Sequence, residues 1–106
     1  MDKKLIKDSL ELSRLAERIS KNKNLEDISN MLLICRESII RLSKNPGQVE
    51  NQIIKLLLDI QTHAENLLAE GQHKAKNPDG KRAEYILKDA EEIKKLVVNY
   101  IENNFS

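Results

Sequence analysis

Asp59 and His63 are the two side chains whose types and spacing best suit acid–base chemistry. They are four residues apart, so on a helix they share one face, where a carboxylate can orient an imidazole that acts as a base or a metal ligand. A di-metal site inside a helical bundle, however, needs Glu-x-x-His segments on two helices, and the chain offers only Glu70-x-x-His73. We therefore expect His63 to be a structural histidine at the edge of the core, and we predict no metal and no cofactor.

Cys35 is the second candidate, as a nucleophile. It lies between Leu32 and Ile39 on an apolar stripe, where a thiol packs as a small apolar group. A nucleophile also needs a base and a nest of donors for an oxyanion, and the sequence has neither a Gly-rich phosphate loop nor a nucleophile elbow. We predict a protein that is not an enzyme. A single cysteine is typical of a reducing compartment, which favours the cytoplasm.

Two classes of small helical enzyme were compared with the chain by their motifs. Helical-bundle ribonucleases that use an arginine followed within four to six residues by a histidine have no counterpart, because none of the five arginines stands at that spacing from His63 or His73. Helical nucleotide pyrophosphatases carry paired acidic sets on matching helices, and no such pair of helices occurs. The acidic residues are therefore interpreted as solvated helix faces.

A basic segment over residues 73–82 is the candidate anion contact. Its basic side chains outnumber its single acid, and it precedes a predicted helix N-terminus, which itself favours anions. The whole chain has a formal charge of only +1, and its three aromatic residues all lie near the C-terminus. Nucleic-acid binding is therefore an alternative rather than the first hypothesis. The predicted anion contacts are Lys74, Lys76, Lys81 and Arg82.

The elements that would position these side chains are helices. Apolar residues recur at intervals of three and four, and no alternating strand pattern is present. Three breaks divide the pattern: the polar residues 21–24, where Asn24 suits an N-cap, the turn Asn45-Pro46-Gly47, and Asn77-Pro78-Asp79, which suits the start of a helix. The sequence predicts helices over residues 3–21, 25–43, 48–71 and 78–102.

Four amphipathic helices with short connections predict one all-α domain over residues 1–106, an up-down-up-down antiparallel four-helix bundle. The longest apolar run is Met31 to Cys35, too short for a membrane span, and the charged start of the chain does not read as an export signal. The core is predicted to contain Leu12, Ile19, Ile28, Leu32, Cys35, Ile39, Ile53, Ile60, Ala64, Ile86, Ala90, Ile93 and Val97.

The Pro-containing turn Asn45-Pro46-Gly47 and the apolar positions that follow it to Ile60 carry one resemblance. In these residues, in its length and in its four helices, the chain resembles the small immunity proteins that protect bacteria from their own peptide bacteriocins. The resemblance covers about half of the chain, without a diagnostic set of residues. A bacteriocin-immunity-like protein is therefore an alternative function, which the composition does not separate from that of other small helical adaptors.

Each predicted helix also carries a second, shorter apolar stripe far from its core stripe. Under the up-down topology these residues lie mainly in the half of the bundle that holds the termini and the 43–48 turn, so we predict a single patch. It would serve a regulator, adaptor or inhibitor that binds another protein or forms a homodimer; the alternative is that wide helix faces bury it. The predicted interface contains Ile6, Leu10, Ile40, Ile54, Leu58, Val98, Ile101 and Phe105.

Overall fold

The computed structural model describes residues 3–73 and 80–105, except for the side chain of residue 105. It contains four helices: α1 (Lys3–Lys21), α2 (Leu25–Leu42), α3 (Gln48–Gly71) and α4 (Arg82–Phe105). They form the predicted up-down-up-down four-helix bundle. Among the described residues, none of the four helices combines the length and the hydropathy that a membrane span requires.

The helix boundaries follow from local chemistry. The Asn24 side chain caps α2, since its Oδ1 accepts hydrogen bonds from the backbone N–H groups of Glu26 at 2.8 Å and Asp27 at 3.2 Å. The turn around Pro46 separates α2 from α3, as predicted. Gly47 stands at the N-cap of α3 in an extended conformation.

The predicted ends of the fourth helix were wrong on both sides. It begins at Arg82 and not at residue 78, because Gly80 and Lys81 lie in a turn and glycine is a poor helix former. Residues 78 and 79 lie outside the described part. The helix continues past residue 102 to Phe105, and in this last turn the side-chain amide of Asn104 donates to the carbonyl oxygen of Tyr100 at 2.8 Å. The end of α2 was placed one residue too late.

The helices are arranged as a square in cross-section. Helix α1 packs against α2, α2 against α3, α3 against α4, and α4 against α1, whereas in the described ranges the backbones of the diagonal pairs lie farther apart. The predicted core is confirmed except at Ile39, which is only partly buried. The buried stripe of α2 passes through Met31, Cys35 and Ser38, because this helix also faces α1, and Ile39 is left at the edge towards α3.

Two polar contacts show which side of α1 faces each neighbour. On one side the Asp8 carboxylate accepts hydrogen bonds from Ser38 at 3.2 Å and Arg41 at 3.0 Å, both on α2. On the other side the Ser13 hydroxyl donates to Glu91 of α4 at 2.7 Å. These contacts define the two edges of α1 and therefore locate its remaining surface residues.

Candidate functional site

The predicted apolar interface is divided between two sides of the bundle. On α1, Ile6 and Leu10 are both about 160° from Asp8 around the helix axis, so they lie on the edge towards α4 that Ser13 marks. On α4, Val98 is within about 20° of Glu91 and therefore lies on the edge towards α1.

Ile6, Leu10, Val98 and Ile101 thus border the contact between α1 and α4, and we call them the α1/α4 surface. Leu10 and Val98 are 54% and 42% exposed, whereas the other two pack partly against the core. The side chain of Phe105 lies outside the described part of the chain.

The remaining three predicted interface residues border the contact between α2 and α3. The ion pair of Arg36 with Glu65, 3.8 Å between N and O, marks this edge on both helices. Ile54 and Leu58 lie within about 20° of Glu65 around α3, and Ile40 lies about 40° from Arg36 around α2.

Leu33 lies further out on α2, within about 20° of Ile40 around the helix axis, and we call Leu33, Ile40, Ile54 and Leu58 the α2/α3 surface. In a square bundle the α2/α3 side is opposite the α1/α4 side, so the seven predicted interface residues whose side chains are described do not form one patch. Helical periodicity predicts the angle of each residue from its own core stripe, but a single patch also depends on which neighbouring helix lies on that side.

The predicted anion site is only partly within the described residues. Lys74 and Lys76 lie outside them, and Lys81 is exposed. Arg82 is engaged elsewhere: its Nε donates to Oε1 of Glu70 at 3.1 Å, and the two side chains are only 16% and 17% exposed. Arg82 therefore ties the start of α4 to the end of α3 instead of facing solvent at a basic pole.

A cleft between α3 and α4 brings together ionisable side chains from both helices. Asp59 and His63 come from α3, and Tyr85, Lys88 and Asp89 come from α4; we call the space they line, about 290 Å³, the α3/α4 cleft. His63 Nε2 is 3.6 Å from Oδ2 of Asp59, and the imidazole and Tyr85 rings are 5.1 Å apart at an angle of 43°.

Two atoms in the α3/α4 cleft have no hydrogen-bonding partner. They are Nδ1 of His63 and Oδ2 of Asp89, and they are the only buried side-chain nitrogen or oxygen atoms without a partner in the described ranges. Both atoms have almost no solvent-accessible surface, so they lie behind the lining of the cleft, and a proton shared with Asp59 would give the Asp89 carboxyl its partner.

The environment of Asp89 disfavours its charged form. Burial raises the pKa of Asp89 to about 7, with further contributions from a hydrogen bond with Asp59 and from repulsion by the Asp59 charge, while Lys88 lowers it. In contrast, Cys35 is completely buried, and burial alone raises the pKa of its thiol to about 12, as expected for a cysteine that packs as an apolar group.

The sequence identified the α3 half of this cleft but missed Tyr85 and Asp89. The spacing offers a partial signal: residues 63 and 85 are each four positions nearer the connection between the two helices than residues 59 and 89. In an antiparallel pair of helices, two such pairs lie one turn apart on the same side of the contact. No group of three His, Cys, Asp or Glu side chains in residues 3–73 and 80–105 is arranged to hold a metal ion.

Comparison with protein-family models, curated proteins and solved structures finds no significant match to this chain. The resemblance to bacteriocin immunity proteins therefore stays a prediction from the sequence. The observations that bear on function are the two apolar surfaces and the α3/α4 cleft.

Proposed function

We propose that this chain is a non-enzymatic interaction protein that associates with a second copy of itself through the α2/α3 surface. The observation that supports this function is the exposure of large aliphatic side chains on two adjacent helices. Leu33, Ile40 and Leu58 are 54%, 65% and 48% exposed, and Ile54 lies beside them partly buried. Contiguous apolar side chains on a protein surface are typical of a contact with another protein.

The flanking charges favour a second copy over a strongly charged partner. Arg36 and Lys55 are exposed beside the α2/α3 surface, and so are Glu37 and Glu65. A symmetric pair of copies presents this mixed set to itself, so each basic group can approach an acidic one. The net charge of +1 also gives little repulsion between two copies.

The expected dimer is weak. Burying a half-exposed aliphatic side chain contributes about 1 to 2 kcal/mol, and association itself costs about 4 to 15 kcal/mol. Helix α2, with 18 residues, is about 27 Å long, so two adjacent helices offer a face of roughly 500 Å² in projection. That area lies at the low end for protein interfaces and fits a dissociation constant on the order of micromolar.

Sedimentation velocity from about 1 µM to about 1 mM protein tests the proposal. The wild-type sedimentation coefficient should rise with concentration, and I40D combined with L58D should abolish the rise, because buried carboxylates would face each other. The matched control is L10D combined with V98D, which changes two similarly exposed residues of the α1/α4 surface.

The control variant should dimerise like the wild type, and circular dichroism should show that both variants remain helical. A wild-type protein that stays monomeric over the whole range would contradict the proposal. So would a control variant that loses the dimer to the same extent as I40D with L58D.

A further inference from the structure

The α3/α4 cleft contains a pair of carboxyl groups that lies across the contact between two helices. Asp59 of α3 and Asp89 of α4 line the cleft together, and they are close enough to share a hydrogen bond. Two ionised carboxylates are both acceptors, so this hydrogen bond exists only while one of them holds a proton. The proton therefore joins α3 to α4 at this height of the bundle.

The two carboxyl groups differ in their access to water. The Asp59 side chain is 54% exposed, whereas Oδ2 of Asp89 has almost no solvent-accessible surface. Water can therefore hydrate the charge of Asp59 where it lies, but it reaches this oxygen of Asp89 only if the side chains that line the cleft separate. An ionised Asp89 in the closed cleft is a poorly hydrated charge beside a like charge, which is unfavourable.

His63 also gains a partner when the lining of the cleft separates. Its Nδ1 is buried without a hydrogen bond, and its ring packs against Tyr85 with 5.1 Å between the ring centroids. The closed cleft leaves this nitrogen unsatisfied at a cost in free energy, and water in an open cleft satisfies it. The shared proton thus favours the closed form, and hydration of His63 and Asp89 favours the open form.

We propose that Asp59 and Asp89 form a proton-operated latch between α3 and α4. While the pair holds a proton, the cleft is closed and the rings of His63 and Tyr85 are in contact. When the proton passes to solvent, the two carboxylates repel each other, the lining of the cleft separates, and water reaches Asp89 and His63. The latch therefore closes at low pH and opens at high pH. The raised pKa of Asp89, about 7, places the change close to neutral pH.

Four other ionisable or charged groups belong to the cleft or to its immediate neighbourhood. His63 lies beside Asp59 on α3, and Tyr85 and Lys88 lie on α4 with Asp89. Lys88 attracts the ionised form of Asp89 and so favours opening. The repulsion from Asp59 acts in the opposite sense and is the charge that the latch depends on.

The other two helices meet the far edges of α3 and α4. Helix α1 packs on the edge of α4 that Glu91 marks, and α2 packs on the edge of α3 that Glu65 marks. Within the described residues, neither α1 nor α2 contributes a charged side chain to the lining of the cleft. Lys55 and Glu92 are exposed about one turn from the pair and lie outside this lining.

Side-chain nuclear magnetic resonance of the full chain, from about pH 5.5 to about pH 8.5, tests the proposal. Over this range the protonated fraction of a group with a pKa of about 7 falls from about 97% to about 3%. The Overhauser signal between the rings of His63 and Tyr85 should fall at least about tenfold, and the carboxyl carbon of Asp89 should titrate with the same midpoint. Circular dichroism should show that the helix content is unchanged.

Variants assign the change to the latch, which is necessary because histidine side chains also titrate near neutral pH. D89N should keep the ring contact throughout the range, since an asparagine cannot ionise. D59N should keep it as well, because the amide introduced at position 59 can donate to an ionised Asp89 and close the cleft without a proton. E84Q is the matched control and should open like the wild type, since Glu84 is an exposed acid about 140° from Asp89 around α4.

A ring contact that persists at about pH 8.5 while the carboxyl of Asp89 is ionised would overturn the proposal, because the closed cleft would then accommodate the charge. So would a contact that D89N and D59N lose as the wild type does, which would assign the change to His63. An Asp89 carboxyl that does not titrate in this range would overturn it too. Opening should leave the sedimentation behaviour unchanged, since the α2/α3 surface lies on the other edge of α3, so the latch and the proposed dimer fail or succeed separately.

Discussion

Helix α3 has an edge on each side of its buried stripe, and the side chains on these two edges differ in polarity. Towards α2, the edge carries the exposed side chain of Leu58 and the half-buried Ile54. Towards α4, it carries Asp59 and His63, which line a polar cleft. Helix α3 thus contributes to an apolar surface on one side and to a polar cleft on the other. Which of the two forms depends on the residues of the neighbouring helix, α2 or α4.

The ion pairs on the two edges of α3 also differ, in how far they are exposed to solvent. Glu70 lies 3.1 Å from Arg82 of α4, and both side chains are largely buried. Glu65 lies 3.8 Å from Arg36 of α2, and both side chains are more than half exposed. The contact between α3 and α4 therefore includes a largely desolvated ion pair. The contact between α3 and α2 depends on apolar packing, and the side chains at its outer rim remain in solvent.

The largest loss of stability is expected from a substitution in the buried stripe of α3, which lies between the two edges. Ile60 is completely buried, so I60A should lower the free energy of unfolding by about 2 to 5 kcal/mol, through lost transfer energy and the cavity left behind. L58A, two residues away and 48% exposed, should cost less than about 1 kcal/mol. Urea unfolding of both variants measures the difference. Equal losses would show that Leu58 is not a surface residue.

The two ion pairs give the next largest contrast. E70Q should cost about 1 to 3 kcal/mol of unfolding free energy, because it weakens a charge-assisted hydrogen bond to a largely buried Arg82. E65Q should change it by less than about 0.5 kcal/mol, since solvent screens an exposed pair. The measurement is again urea unfolding, at low and at high salt. If E65Q lowered the free energy of unfolding more than E70Q, the ion pair towards α2 would be the more stabilising of the two, which contradicts the prediction.

Asp89 should make the α4 edge sensitive to pH. The pKa of Asp89 is raised from 3.8 to about 7, so between these values the folded chain holds a proton that the unfolded chain does not. The protonated Asp89 carboxyl therefore adds to the free energy of unfolding in full below about pH 4, and this contribution is lost as the pH rises through 7. D89N cannot ionise and should escape this loss.

At pH 8, D89N should therefore be more stable than the wild type by about 1 kcal/mol, a value reduced for the solvent that reaches this half-buried group. The difference should shrink towards pH 4. Unfolding curves of the two proteins at several pH values measure it. A difference that stays constant with pH would mean that Asp89 is ionised throughout the range.

The sequence predicted the four helices and most of the core because both depend on local periodicity. The apolar stripe through Ile86, Ala90, Ile93 and Val97 repeats every three or four residues, and only a helix buries such a stripe on one side. The start of α4 was misplaced because Pro78 and Asp79 fit a helix N-terminus as a pattern, whereas the turn at Gly80 and Lys81 depends on where α4 meets α3.

The candidate sites were less predictable because they depend on pairs of helices. Nothing near Asp89 in the sequence indicates that Asp59 and His63 will lie beside it, thirty and twenty-six positions away. Leu10 and Ile40 likewise have the same sequence signature, an apolar residue far from the core stripe. They lie on opposite sides of the bundle because one helix borders α4 and the other borders α3.

The smallest expected effect concerns Lys88, the basic side chain of the α3/α4 cleft. Lys88 lowers the pKa of Asp89 by attraction, against the larger effect of burial. K88Q should therefore raise the pKa of Asp89 further above its ordinary value, and only slightly, because Lys88 is exposed and water screens its charge. Carbon-13 resonances of the carboxyl groups, followed from pH 4 to about pH 9, report this pKa directly.

The control for K88Q is R36Q, which removes one exposed positive charge from α2, beside the α2/α3 surface. It should leave the Asp89 titration where it is, since an exposed charge acts over little more than about 10 Å at ordinary salt. If R36Q shifted the Asp89 pKa as much as K88Q, the shift would follow the net charge of the whole chain. The pKa of Asp89 would then depend on charges on both sides of α3, and the cleft would not be electrostatically independent of the α2/α3 surface.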